Sequence, residues 1–302
     1  MERKVIFVGG SSYSGSTMLD MMLANSPRGF SAGEVQALFR PYRPHHFNPT
    51  CGCSNKECDL WLRVRQGGEE KLYETLFQQF PGTTFIVDSS KDPWWIRRQM
   101  RRLEAKGVAV RNLLIWKEPG AFAHSMLKRR RRGWLKAWKN YYRIYMSLIA
   151  DFRSVSYGDL VQNPKEYLRN LCREAGIPYH EDQEKFWAKR HHTLFGNKSA
   201  KIHLHQKPGE SPVVGSTEDD FTSNRCYRSI YKDARYMHSL PRQVTEHLAN
   251  DAVIHSVLTD LKKGHPSLNV SKLCAFSLGT AKARNELKFL LGLCIGRYHR
   301  IF

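Results

Sequence analysis

The stretch that decides the fold is residues 5–24, which read VIFVGGSSYSGSTMLDMMLA. Residues 5–8 are four consecutive apolar side chains, the pattern of a strand that is buried on both faces. A turn rich in glycine and serine follows, and residues 17–24 then read as a helix. A buried strand that leads through a glycine turn into a helix is typical of α/β proteins with a parallel sheet.

The turn itself, residues 10–17, has the spacing of a phosphate-binding loop, G-x-x-x-x-G-[KST]-[ST]. Glycines let the backbone wind tightly, so that its N–H groups point at an anion, and the following helix adds the positive end of its dipole. A serine-rich turn that merely caps the helix is the alternative. The candidate anion-binding residues are Ser12, Tyr13, Ser14, Gly15, Ser16 and Thr17.

Position 16 separates the phosphate chemistries that such a loop can serve. Nucleoside triphosphatases carry a lysine there, which reaches the β- and γ-phosphates, whereas this chain has Ser16. The backbone N–H groups of the loop can still bind an anion without that lysine. The loop therefore favours a ligand that has a phosphate but transfers no γ-phosphoryl group, and it disfavours a kinase or an ATPase.

The rest of the chain continues the alternation of strands and helices. Apolar runs at 85–87, 112–116 and 153–157 predict further strands, and helical spacing is found at 94–105, 121–149 and 164–175. We therefore predict an α/β fold with a P-loop-type central parallel sheet, flanked by helices and carrying helical and loop insertions. Residues 190–224 are rich in Gly, Ser, Pro, His and Lys, and they predict a long functional loop.

We expect a single domain over residues 1–260, with a cysteine-containing insert at about 41–65. Residues 261–302 form a basic, partly apolar extension, for which weak contact with a membrane surface, docking on the domain and self-association remain open. The chain has no run of 18 apolar residues, and residues 5–8 are too few for a signal peptide. These features predict a cytoplasmic protein without a membrane span.

The net charge of +20 is concentrated in two blocks. Residues 97–143 hold 15 Lys and Arg against 2 acids, and residues 261–302 hold 8 against 1. Local blocks favour anionic ligands at particular places, and no nucleic-acid-binding motif is present, so we expect no specific nucleic-acid partner. The densest run, residues 128–132, is either a solvated face or a contact for an anionic ligand.

Six segments in chain order resemble one enzyme family. They are residues 7–19 around the loop, 32–34 (AGE), 87–91 (VDSSK), 117–119 (KEP) with Ser125, 155–164 (VSYGDL and NP), and His192 with 196–197 (GN). Together they resemble the sulfotransferases that use 3′-phosphoadenosine 5′-phosphosulfate (PAPS), most of all the bacterial-type and carbohydrate sulfotransferases. The resemblance spans about residues 3–240.

The resemblance implies where PAPS would bind, without any requirement for a metal. The loop would hold the 5′-phosphosulfate, and Lys117 and Ser125 would hold the 3′-phosphate. Two positions depart from the family, because Tyr13 stands where a basic residue is usual and Lys117 stands where arginine is usual. Lysine keeps the charge of arginine but loses its bidentate fork. A homologue that binds PAPS with little or no turnover is therefore an alternative, as is a different P-loop phosphotransferase.

The same resemblance implies the catalytic groups. Lys91 would stabilise charge on the leaving oxygen, with Lys198 or the nucleotide-binding candidate Lys201 as the alternative cation. Glu34 is the expected general base, although an acid near a helix N-terminus has a purely structural role as well. The insertions would form the acceptor side, and the acceptor would be a carbohydrate or a small natural product. Three histidines compete with Glu34 as base: His45, His46 and His192.

Seven cysteines are an odd number for a disulfide framework, and three of them cluster at Cys51, Cys53 and Cys58. With His45 and His46 nearby they could form a zinc site, but C-x-C-x4-C is not a common zinc spacing. We favour plain thiols or one local disulfide, and we predict no metal ligand.

Overall fold

The computed structural model describes residues 2–53, 55–197, 200, 230, 234 and 236–264. The candidate cations Lys198 and Lys201, most of the predicted 190–224 loop and residues 265–302 of the extension lie outside these described residues. The last described helix ends at Lys263 and so crosses the expected domain boundary after residue 260.

Five strands form one sheet in the described part of the chain, and every neighbouring pair is parallel. Its order is β2-β3-β1-β4-β5, so the first strand lies at the centre. The predicted α/β fold with a central parallel sheet is confirmed. The strands are β1 (Lys4–Gly9), β2 (Gly29–Gly33), β3 (Phe85–Asp88), β4 (Ala109–Trp116) and β5 (Arg153–Ser156).

Helices connect these strands and cover both faces of the sheet. Those between the first strand and β4 are α1 (Ser16–Ala24), α2 (Gln36–Phe39), α3 (Leu60–Gly67), α4 (Leu72–Gln79) and α5 (Pro93–Glu104). Those that follow β4 are α6 (Pro119–Lys128), α7 (Trp134–Leu148), α8 (Tyr157–Gln162), α9 (Pro164–Ala175), α10 (Tyr236–Ser239), α11 (Arg242–Asn250) and α12 (Ala252–Lys263). None of the helices in the described ranges has both the length and the apolar character needed to cross a bilayer.

Alternation along β1 explains why four apolar residues in a row are needed there. Val5 and Phe7 belong to a core with the tryptophans of α3, α5 and α7, whereas Ile6 and Val8 belong to a second core with α1 and α9. All four are fully buried. Each such side chain contributes roughly 1.5–3 kcal/mol by leaving water, so the central strand anchors both faces and fixes where its loop emerges.

Two expectations about elements were wrong or incomplete. Residues 121–149 are not one helix, because α6 ends at Lys128 and α7 begins after Gly133, whose φ of +68° cannot continue a right-handed helix. The strand β2 was not predicted at all. Its sequence, GFSAG, is fully buried but holds only one large apolar side chain, so it lacks the pattern of a strand.

Candidate functional site

The predicted phosphate loop lies between the end of β1 at Gly9 and the start of α1 at Ser16. Gly15 has φ of +100°, and a Cβ atom added there would lie 2.4 Å from the Tyr157 ring. Tyr13 also has a left-handed backbone, with φ of 65°. The loop is thus wound tightly by its conformation and by its neighbours, as an anion cradle requires.

The N-terminus of α1 fits an anion. Its N-cap residue is Gly15, which has no side chain to cap the first N–H groups of the helix. Those groups have no acceptor within a helix, and the helix dipole favours negative charge beside them. Ser16 and Thr17 are buried in the first turn, and the Thr17 Oγ1 accepts a hydrogen bond of 3.1 Å from the Asn197 N–H.

Two tyrosines of α7 form hydrogen bonds with the loop. The Tyr141 hydroxyl accepts a 2.7 Å hydrogen bond from the Gly10 N–H and donates one of 2.6 Å to the Lys91 carbonyl. The Tyr142 hydroxyl donates to the Ile115 carbonyl at 3.1 Å and lies 3.2 Å from the Ser11 Oγ. Burial raises the pKa of both phenols, so both stay protonated and keep these bonds.

The Tyr141 hydroxyl therefore links the loop directly to the segment that carries Lys91. That link joins the segments around residues 10–17 and 87–91 through a residue of α7 that was not among the predicted site residues. No sequence signal distinguishes Tyr141 from the other aromatic residues at helical spacing on α7.

Glu34 and Lys91 form an ion pair through Oε1 and Nζ, although they are 57 positions apart. Their side chains are only 16% and 17% exposed. The Glu34 N–H donates a 2.8 Å hydrogen bond to the Leu194 carbonyl, which fixes the backbone of the acid. Lys91 has φ of 66°, a strained value for a residue with a Cβ atom.

The Asp-Ser-Ser residues before Lys91 have structural roles. Asp88 accepts hydrogen bonds from the Tyr73 hydroxyl at 2.7 Å and the Trp95 indole at 3.0 Å, and it is also bonded to the Ser90 hydroxyl. The Ser89 hydroxyl donates to Asp20 at 2.6 Å, and burial raises the pKa of that carboxyl to about 7. This buried network fixes the backbone of residues 88–90, and so the position from which the Lys91 side chain extends.

Two cations flank α6, with Lys117 before its first residue and Arg129 directly after its last. The Lys117 ammonium lies 4.2 Å from the centroid of the Tyr157 ring. The Arg129 guanidinium lies 4.3 Å from the centroid of the Tyr13 ring and donates a 2.8 Å hydrogen bond to the Ser125 carbonyl. The Ser125 hydroxyl donates to the Ala121 carbonyl at 3.0 Å, so it can donate to a phosphate oxygen only by giving up this bond.

Arg129 was missed as a site residue, although it belongs to the basic run 128–132. Its guanidinium lies over the Tyr13 ring, so a positive charge reaches the loop from the end of α6. The basic run was the only sequence signal for it.

The three histidines named as competing bases lie in other surroundings. His192 Nδ1 is 3.3 Å from the Cys51 Sγ and 3.6 Å from the Cys58 Sγ. Burial and the charge of Arg190 lower the pKa of His192, so its ring is neutral at pH 7.

His45 and His46 lie next to each other, with their rings packed edge to face. The His46 Nδ1 accepts a 3.2 Å hydrogen bond from the Tyr42 N–H, and burial lowers the pKa of His46 to about 4.

The structure thus joins Glu34 with Lys91, and it joins His192 with the cysteine insert. It places the loop, Lys117 and Arg129 around the carboxyl ends of β1 and β4. Lys198 and Lys201 lie outside the described residues.

No protein-family model matches the chain, and no curated protein matches it. Among solved structures, the chain is similar to the sulfotransferase domain from the Synechococcus PCC 7002 olefin synthase, with 19% identity and a TM-score of 0.48 over 83% of this chain and 96% of that one. It is also similar to the sulfotransferase domain from the curacin biosynthetic pathway, with 13% identity and a TM-score of 0.48 over 87% of this chain and 98% of that one.

Proposed function

We propose that the chain is a sulfotransferase that moves a sulfuryl group from PAPS to a hydroxyl or amine of a carbohydrate or small natural product. The observation that carries the proposal is the Glu34–Lys91 ion pair, which Tyr141 ties to the phosphate loop. An acid and a cation held beside an anion cradle are the two charged groups that transfer to a hydroxyl requires.

Donor binding would use both ends of the cradle. The backbone N–H groups of residues 12–17 and the Ser16 and Thr17 hydroxyls would hold the 5′-phosphate. Lys117 and Ser125 would hold the 3′-phosphate, and Arg129 would supply the positive charge that Tyr13 lacks. These groups bind and orient, which is the main contribution of a protein to in-line group transfer.

PAPS supplies the sulfuryl group and, in the phosphate that it leaves behind, a good leaving group. Glu34 would take the proton of the acceptor hydroxyl as the new S–O bond forms. Lys91 would stabilise the negative charge that develops on the leaving phosphate oxygen as the old S–O bond breaks.

The alternative of a nucleotide-binding homologue without turnover rested on Tyr13. The contact between Arg129 and the Tyr13 ring supports an active enzyme instead, because it brings a cation to the loop. A phosphotransferase remains disfavoured by Ser16, which cannot replace the lysine of a triphosphatase.

The proposal is tested by transfer itself. The full chain is incubated with PAPS and a mixed set of sugars, phenols and amines, and sulfated products are detected by mass spectrometry. We expect products that need both PAPS and the wild-type chain and that are absent with the Lys91→Ala variant. In a parallel incubation with ATP in place of PAPS, phosphorylated products would replace this proposal with that of a phosphotransferase.

A further inference from the structure

Three cysteines and one histidine converge where the 41–65 insert meets the segment after α9. One ligand atom from each of Cys51, Cys53, Cys58 and His192 lies within 4.8 Å of all the others. All three thiols are free. In a tetrahedral zinc site with the usual bond lengths, ligand atoms lie about 3.4–3.8 Å apart. The His192 Nδ1 lies 3.6 Å from the Cys58 Sγ, within that range, and 3.3 Å from the Cys51 Sγ, just below it.

We propose that these four residues bind one zinc ion in a closed, structural site. Three thiolates and an imidazole are a recognised donor set for structural zinc, and soft sulfur ligands disfavour magnesium and calcium. Four protein ligands leave no open position for a reacting water or substrate. The sequence could not assemble the set, because His192 follows Cys58 by 134 positions and the cysteine spacing is unusual.

Hydrogen bonds and ring contacts hold the segment around His192 in place. The Trp61 indole donates a 2.8 Å hydrogen bond to the His192 carbonyl, and the Gly52 N–H donates one of 3.0 Å to the Thr193 carbonyl. The rings of Phe30 and Phe80 pack against the His192 ring, with centroids at 6.2 Å and 5.3 Å. Outer contacts of this kind fix the orientation of the ligands.

The ion would position both halves of the candidate site. Two residues beyond His192, the Leu194 carbonyl accepts the hydrogen bond from the Glu34 N–H. Three residues further, the Asn197 N–H bonds Thr17 at the start of α1. Clamping His192 to the cysteine insert therefore holds one short segment in place against both the acid and the phosphate loop.

The test measures metal in the full chain, purified without a polyhistidine tag so that no nickel column is used. We expect about one zinc per chain by elemental mass spectrometry. Cobalt added to the chelated protein should bind in the same ratio and give the strong visible absorption of tetrahedral thiolate coordination. Cys58→Ser should lose the zinc, whereas Cys172→Ser, a buried cysteine in the second core, should retain it.

Thiol titration in denaturant with a chelator separates the alternatives. The zinc site predicts seven reactive thiols, all the cysteines of the chain, with unfolding at a lower temperature once zinc is removed. Five thiols and no metal would overturn the proposal in favour of a local disulfide. Seven thiols with neither zinc nor cobalt binding would overturn it in favour of plain thiols. These readouts do not depend on sulfuryl transfer, so the zinc site and the proposed function can fail separately.

Discussion

The side chains of Glu34 and Lys91 form a mostly buried ion pair across the carboxyl ends of two neighbouring strands. Glu34 directly follows β2, and Lys91 comes three residues after the end of β3. Because parallel strands end at the same edge of a sheet, residues far apart in the chain meet there. The pair lies on the side where the phosphate loop also emerges from β1.

Replacing Lys91 should remove transfer while leaving the nucleotide bound. For Lys91→Ala we expect kcat to fall roughly 10²–10³-fold, since one group that stabilises developing charge is lost, with little change in donor affinity. Lys71→Ala, an exposed lysine in the turn before α4, is the matched control and should keep full turnover. Full turnover in the Lys91→Ala variant would mean that another group stabilises the leaving oxygen.

Replacing Glu34 tests the proton transfer. Glu34→Gln keeps the shape and the backbone bond to Leu194 but cannot accept a proton, so kcat should fall roughly 10²–10⁴-fold. Glu57→Gln, at an exposed position in the insert, should change nothing. Steady-state kinetics at several pH values check both variants. If the pH dependence of kcat is unaltered in Glu34→Gln, the base is a different residue.

Some of this site could be predicted from the sequence, and the reasons are local. The phosphate loop was predictable because its glycine spacing and its flanking strand and helix lie within 20 residues. Glu34 and Lys91 were identified only by resemblance, and their contact was not predicted. That contact depends on β2 pairing with β3, and the small residues of β2 give no strand pattern.

Contacts made by distant residues were missed for the same reason. Three residues, Tyr141, Arg129 and His192, contact partners at least 50 positions away, and their own neighbours in the chain carry no signal for these partners. Periodicity identifies the face of a helix that is buried, but it does not say which hydroxyl or guanidinium reaches which loop.

Arg129 should supply the charge that Tyr13 lacks. For Arg129→Ala we expect affinity for adenosine 3′,5′-bisphosphate to fall roughly tenfold to a hundredfold, the worth of one charged hydrogen bond. Arg132→Ala, an exposed residue of the same basic run, should bind normally at moderate salt. Equal effects of the two variants would indicate general attraction by the run instead of a contact at the loop.

Gly15 should be essential for the shape of the loop. Gly15→Ala forces a Cβ atom to within 2.4 Å of the Tyr157 ring at a φ of +100°, so nucleotide binding should be lost. Gly68→Ala bears similar backbone strain at φ of +83° but has open space around it, so it should bind as the wild type does. Circular dichroism checks that both variants are folded. Normal binding by a folded Gly15→Ala would show that the loop does not cradle the phosphate.

The most direct test of the central claim is calorimetric titration with adenosine 3′,5′-bisphosphate, with 5′-AMP and ATP as comparison ligands. We predict micromolar binding of the bisphosphate, with 5′-AMP at least about tenfold weaker, because Lys117 and Ser125 would contact only the 3′-phosphate. In Lys117→Ala that preference should be much reduced while binding of 5′-AMP is retained. Equal binding of the bisphosphate and 5′-AMP by the wild type, or a preference for ATP, would contradict the assignment of the site to PAPS.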